Sequence, residues 1–375
     1  MFALGALLWS GMALGFIWVV DPYGVSPVKF VKRVNHFKPM RVDIDRLIKP
    51  YEVWRYQPRT VFLGTSRIHQ SMDPAALDGT DYAPAYNAAI PSSMLDMTVA
   101  QLELYLQINK QLKHVFVELF LYSFIYPQSV APRIGYAQLL EDAMTLHFSS
   151  TGLAAALQTV YFNLARKPAV SNVHAGGYWV YPPDHNPKHA FGAKAYAESI
   201  VAVHRNITDM VIQPTAMTAL ERLINTAQKN GVTLHMVLTP NYPWDDYRLL
   251  SLGYWPLVED FYRKLSRYEN VISFAQYNVL VEEPDRDGMQ YWNDPLHFSL
   301  KMGRQMIKAM LGTPDPAVPP NFMRRLNREN VEALLTERRS GLEDWALRNR
   351  DFVEAFEHAK QASGKPPVQQ PGAGS

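Results

Sequence analysis

Between residues 58 and 311 the chain returns five times to a short apolar run, too brief for a helix and too apolar for a loop. The runs are Thr60–Leu63, a short one around Ala85-Tyr86-Asn87, Val115-Phe116-Val117-Glu118-Leu119, residues 232–238, and Val271-Ile272-Ser273-Phe274. Segments of helical period separate them. Leu95, Val99, Leu102 and Leu106 recur on one face, as do Leu220, Leu223, Ile224 and Ala227. The second of these series ends at Asn230-Gly231, a stop signal. Near the end, Ser299 caps a helix whose inner face is Gly303, Met306, Ile307 and Met310. Strands buried on both faces and joined by helices predict a parallel, doubly wound sheet in three α/β/α layers. Such sheets bind ligands beyond the carboxyl ends of their strands.

Over a hundred residues separate the third and fourth runs, too many for one crossover. Residues 121–212 therefore read as an insertion. Positions 138–165 are helical, 171–191 form a loop rich in Gly, Pro, Tyr and His, and the whole is expected to roof the site. The remaining boundaries follow from composition: a linker over 21–57, a main domain over 58–312, a charged helical extension over 313–360, and a disordered tail over 361–375.

Phe2–Val20 carries no charge, and as a helix it would span about 28 Å. The expectation is a single-pass anchor in the cytoplasmic membrane, with the catalytic domain outside. Lys29, Lys32, Arg33, Lys38 and Arg41 follow it and pull the other way under the positive-inside rule. A net charge of +2 over 375 residues gives no field that would make nucleic acid the main partner. With no cysteine, disulfides, thiol nucleophiles and Cys-bound zinc are excluded. His174, His185 and His189 cluster in the inserted loop, but Pro182, Pro183 and Pro187 argue against the helix zinc would need. No metal and no cofactor is expected.

Two segments carry chemistry. Gly64-Thr65-Ser66-Arg67 follows the first run, where a glycine lets the chain leave the sheet sharply and sets Ser66 at its mouth. Asp294-Pro295-Leu296-His297 enters the last helix. An acid three residues before a histidine can hold the ring by Nδ1 and leave Nε2 facing outward as a base. A strand-ending turn and a loop Asp/His pair are each common structural features. Together, in the order Ser, Asp, His, they favour a nucleophile and its base.

That combination resembles the SGNH (GDSL-like) hydrolase superfamily, over roughly residues 58–311. Gly64-Thr65-Ser66 stands where Gly-Asp-Ser is usual, and Asp294-x-x-His297 is intact. The resemblance implies a flavodoxin-like sheet with Ser66 as nucleophile, His297 as general base and Asp294 as its orienter. Two landmarks depart. Asn87-Ala88-Ala89 stands where an oxyanion-hole glycine is expected, and Glu118-Leu119-Phe120-Leu121-Tyr122 replaces Gly-x-Asn-Asp. The departures are similar to the membrane-anchored branch that includes the alginate O-acetylation and teichoic acid D-alanylation proteins.

That branch implies a serine acyltransferase or esterase acting on O-acyl groups, O-acetyl in the first instance, of an extracytoplasmic polysaccharide. It also implies an acyl donor protein held in the membrane. Asn87 and Arg67 are candidates for oxyanion or substrate binding, and Tyr178 and Trp179 for stacking on a sugar. Each has a structural alternative: a strand-end amide, a core-paired arginine, and aromatic residues that fasten a loop. A catalytically weak glycan-binding scaffold and a lipid-directed esterase are the competing functions.

Overall fold

The computed structural model describes residues 2–26, 31–127, 136–165, 172–174, 176–181, 192, 196, 210–284 and 289–362. The main sheet contains β1 (Thr60–Leu63), β2 (Ala85–Asn87), β3 (His114–Leu119), β6 (Thr233–Leu238), β7 (Val271–Ser273) and β8 (Arg324–Leu326). A separate antiparallel hairpin pairs β4 (Asn172–Val173) with β5 (Trp179–Val180). The helices are α1 (Phe2–Val20), α2 (Asp45–Tyr56), α3 (Ser66–Ser71), α4 (Leu95–Ile108), α5 (Tyr122–Ile125), α6 (Tyr136–His147) and α7 (Ser150–Leu164). They continue with α8 (Pro214–Lys229), α9 (Pro243–Ser251), α10 (Trp255–Leu265), α11 (Leu300–Met310), α12 (Val331–Arg348) and α13 (Arg350–Ala362).

The sheet order is β2-β1-β3-β6-β7-β8, parallel except for the β7/β8 edge. All five expected runs are strands, and register places Leu63 beside Val117 and Leu119 beside Leu238. The edge strand β8 was not expected: Arg324-Arg325-Leu326 has neither an apolar run nor alternation, and pairing with β7 alone holds it extended. Strand order reverses at β1, so right-handed crossovers put α3 on one face and α4 and α8 on the other, and α11, which lies between the antiparallel β7 and β8, joins the α3 face by packing. The packing agrees: α3 contacts α11, and α4 contacts α8. This mixed α/β architecture with a mainly parallel sheet is the expected layering, and its switch point lies where Ser66 follows β1.

Three expectations need correction. The stretch 21–57 is not a linker: α2 packs against α4 and α6 and buries Asp45, Ile48, Lys49, Glu52 and Val53. Nor do α6 and α7 roof the site, since α6 packs on α2, and α7 on α1 and α6; of the insertion's described helices α5 reaches it, through Tyr122 and Ser123. Finally, Phe2–Val20 is helical, but among the described residues no helix is long and apolar enough to cross a membrane.

The charged extension is built into the domain. On α12, Leu334, Leu335, Leu342 and Trp345 are buried, and Arg338 completes the stripe from inside. Its guanidinium donates to Tyr262 Oη at 2.8 Å and Ala275 O at 2.6 Å, and pairs with Asp246. Of the expected tail, residues 361 and 362 close α13 and the rest lie outside the described residues.

Candidate active site

The turn carrying Ser66 is set by steric crowding and by one carboxylate. A Cβ on Gly64 would come within 2.6 Å of Ile68 and 2.8 Å of Glu118, so a glycine is required there. Thr65 caps α3, its hydroxyl accepting from Arg67 N at 3.3 Å, and Ser66 becomes the first helical residue. Glu118 on β3 holds this turn from beneath. Its Oε2 accepts from Thr65 N at 2.9 Å and Thr65 Oγ1 at 2.8 Å, and its Oε1 from Thr239 Oγ1 at 3.0 Å.

The second half of the site is a closed loop ahead of α11. Trp292 and Phe298 bridge antiparallel, and Asn293 N donates to His297 O at 2.8 Å. Ser299 caps α11, accepting from Met302 N at 3.3 Å. The two halves meet because α3 and α11 approach closely. A Cβ on Gly303 would lie 1.8 Å from Ser71 O, and Ser71 Oγ donates to Phe298 O. Arg304 on α11 also pairs with Asp73 at 2.8 Å.

This docking brings together residues 231 positions apart. Ser66 Oγ lies 2.9 Å from His297 Nε2, and His297 Nδ1 lies 2.7 Å from Asp294 Oδ2. Asp294 Oδ1 accepts from Leu296 N at 2.7 Å and His297 N at 2.9 Å, fixing the loop as well as the ring. Burial by itself would raise the Asp294 carboxyl, but the His297 ring and these two amides hold it below the usual aspartate range. With Asp294 accepting at Nδ1–H, Nε2 is left free to accept the serine proton.

Ser66 and His297 open on a cavity of about 340 Å³, at the small end for ligand sites. Met94, Phe120 and Leu296 give it apolar wall, while Tyr122, Tyr126, Asp245 and Arg248 line another part. Asp245 pairs with Arg248 at 2.6 Å and accepts from Tyr122 Oη at 3.2 Å. Ser92 also lines the cavity, in a left-handed conformation with φ +58°.

The other sequence candidates are placed differently. Asn87 is fully buried; its Nδ2 donates to Ile68 O and Met72 O, both at 2.8 Å, so it fastens α3 and does not line the cavity. Arg67 does line the cavity, but its guanidinium is held inside the protein. It donates to Asn241 Oδ1 at 2.9 Å and to Pro240 O, and packs over Phe120 with its charge centre 4.2 Å from the ring. Its Nε lies 3.3 Å from Glu118, an ion pair without hydrogen-bond alignment.

Tyr178 and Trp179 belong to the β4/β5 hairpin, pressed so close to β2 that a Cβ on Gly177 would meet Asn87 O at 2.3 Å. Tyr178 stacks on His174 at 4.7 Å and Trp179 meets His69 edge-on at 5.9 Å, the loop-fastening arrangement. His185 and His189 lie outside the described residues. Among those described, no group of three His, Cys, Asp or Glu side chains is placed to hold a metal.

Sequence reasoning missed Glu118 and Lys49. Glu118 had a signal, as the one acid inside an otherwise apolar strand. Lys49 had none. It lies fully buried under the loop after β2, donating to Asn87 O at 3.1 Å, Gly177 O at 2.9 Å and Ala89 O.

No family model matches the chain, and no curated protein matches it. A structure from Streptococcus pneumonia, of a protein described as a platelet activating factor, aligns with 72% of this chain and 92% of its own at 11% identity. Its TM-score of 0.35 is too low to carry an argument. The functional reading rests on the chain's own geometry.

Proposed function

We propose that this protein is a serine esterase or O-acyltransferase of the SGNH type, acting on O-acyl groups of an extracytoplasmic polysaccharide. The observation that carries the reading is the unbroken relay from Ser66 through His297 to Asp294, at 2.9 and 2.7 Å. Ser66 Oγ attacks the acyl carbonyl carbon while its proton passes to His297 Nε2. The departing alkoxide takes that proton back, leaving an acyl-serine. A water or sugar hydroxyl then gives its proton to His297 and attacks the ester carbon; the acyl–Oγ bond breaks, and Ser66 Oγ takes the proton back from His297 Nε2. The apolar wall of Met94, Phe120 and Leu296 suits a small acyl group. Tyr122, Tyr126 and the Asp245/Arg248 pair suit a hydroxylated acceptor. Asn87 is engaged elsewhere, so backbone amides at Ser66 and in the turn around Ser92 would have to supply the oxyanion donors.

A second reading draws on that same engagement of Asn87. A site without a side-chain oxyanion donor suits a catalytically weak glycan-binding component of a modification complex. Exposure of the full chain to p-nitrophenyl acetate separates the two. Intact mass should show one acetyl group on wild type and none on Ser66→Ala, with folding unchanged. Asp294→Ala should lose less activity than Ser66→Ala, because it orients the base and makes no bond. Equal ester turnover by wild type and Ser66→Ala would leave the scaffold reading in place.

A further inference from the structure

On α1, Leu4, Leu7, Leu8, Trp9 and Met12 are between 61% and 73% exposed. A Cβ on Gly5, Gly11 or Gly15 would meet nothing within 4 Å, so this end of the helix projects from the body uncovered. At its other end Ile17 and Val20 are buried with Ala156 of α7, and Trp18 stacks on Phe148 at 6.0 Å. The helix it docks on repeats the pattern. Leu157, Tyr161 and Leu164 of α7 are 56–62% exposed at i, i+4 and i+7, one helical face, while Ala155, Ala156 and Thr159 face inward.

The loop after α1 joins the two helices. Asn35 Nδ2 donates to Val19 O at 3.3 Å, and Phe37 N to Asn163 Oδ1 at 2.9 Å. This loop exposes Val31 and Phe37 together with Lys32 and Arg33. Uncovered apolar surface on this scale marks a binding face.

We infer that α1, the outer face of α7 and residues 31–37 form one lipid-contacting surface, with α1 buried in the lipid and the outer face of α7 seated at the bilayer interface. Three features favour lipid over a protein partner. Helix α1 has no charge and no polar face in nineteen residues, and a helix apolar all round belongs in a core or in lipid. A second copy packing along one stripe would leave the rest uncovered. The exposed Lys32 and Arg33, with Trp18, Phe37 and Tyr161 on the adjoining elements, supply the cations and aromatic rings that suit anionic headgroups. Contact through two helices would fix the domain's orientation, which a single flexible tether does not. The inference does not depend on the proposed chemistry.

The chain has no cysteine, so each single replacement accepts one label. Leu157→Cys, Tyr161→Cys and Leu164→Cys would each carry an environment-sensitive fluorophore on the full chain. A label at Glu343→Cys, on the exposed side of α12, is the reference. With vesicles of phosphatidylcholine and phosphatidylglycerol, the three α7 labels should shift to the blue and gain several-fold in intensity, and brominated lipid should quench them. The reference label should do neither. The exposed-site pair Leu157→Glu/Leu164→Glu should lower vesicle partition about tenfold. Two results would overturn the inference: a chain that floats with vesicles while its α7 labels stay unchanged, or labels that respond to protein concentration with no lipid present. The first leaves α1 as the sole contact, and the second points to a second copy.

Discussion

On the β3 side of the nucleophile turn, Glu118 gathers hydrogen-bond donors; on the β2 side, Lys49 gathers acceptors. Glu118 receives the Thr65 amide, two threonine hydroxyls and the flank of Arg67. Lys49 gives its three protons to the carbonyls of Asn87, Ala89 and Gly177. Each sits where buried backbone leaves regular structure and its polar groups lose their partners. A chain entering a helix presents N–H groups and calls for an anion. A chain leaving an edge strand presents C=O groups and calls for a cation. The two charges brace the two loops that frame Ser66, but their surroundings differ. Glu118 has a guanidinium against it, whereas Lys49 has lost most of its solvation. Burial lowers the Lys49 ammonium to about 8, with Asp45 opposing the shift and Arg41 reinforcing it.

That difference ranks the expected effects on folding. Glu118→Ala should be the most damaging, at about 3–5 kcal/mol, because it removes the carboxylate paired with the buried Arg67 and frees the Thr65 amide. Urea unfolding followed by tryptophan fluorescence measures this. Glu118→Gln keeps the shape and part of the bonding, and should recover part of the loss. Lys49→Met should cost less, about 2 kcal/mol. Its stem still fills the space, and carbonyls tolerate a missing partner better than amides do. The Lys49→Met variant should also acylate slowly at Ser66, since the 87–92 loop loses its tie to α2. The comparison breaks if Lys49→Met proves the more destabilising of the two. It also breaks if Lys49→Met acylates at the wild-type rate.

How much of this was legible in the sequence follows the same division. The strands that carry the site were readable because they are apolar and short, and Ser66 and His297 because their local spacing is chemically specific. Buried charge was not readable. Asp45, Lys49 and Glu52 look like solvated residues of a linker, yet each is at most 3% exposed. Composition could not distinguish a lysine in water from one bonded to three carbonyls brought from two distant segments. Arg338 misled in the same way, making α12 look like a weakly apolar extension when it is a core helix. Asn87 failed as an oxyanion donor for a related reason. The α3 carbonyls that claim it lie next to it only once the sheet has formed.

The smallest expected effect on folding belongs to the third anchor, Asp294, which is open to solvent where Glu118 and Lys49 are not. Its side chain is 17% exposed, and its partners are one ring nitrogen and two amides of its own loop. Its carboxyl is held below the unfolded value, so the folded form binds the proton less readily than the unfolded form does. The stability it contributes is therefore complete above about pH 4, the unfolded aspartate value, and is lost as pH falls through the lowered folded value. Asp294→Asn removes that titration while preserving shape. Thermal unfolding of wild type and Asp294→Asn from neutral pH downward should show a gap that is constant to about pH 4 and closes below it. A wild type that instead gains on Asp294→Asn as pH falls toward about 4, with no change below it, would mean that Asp294 binds its proton more readily in the folded state. The Asp294–His297 contact would then be that of a neutral acid, and His297 would lack the anion that stabilises its protonated form.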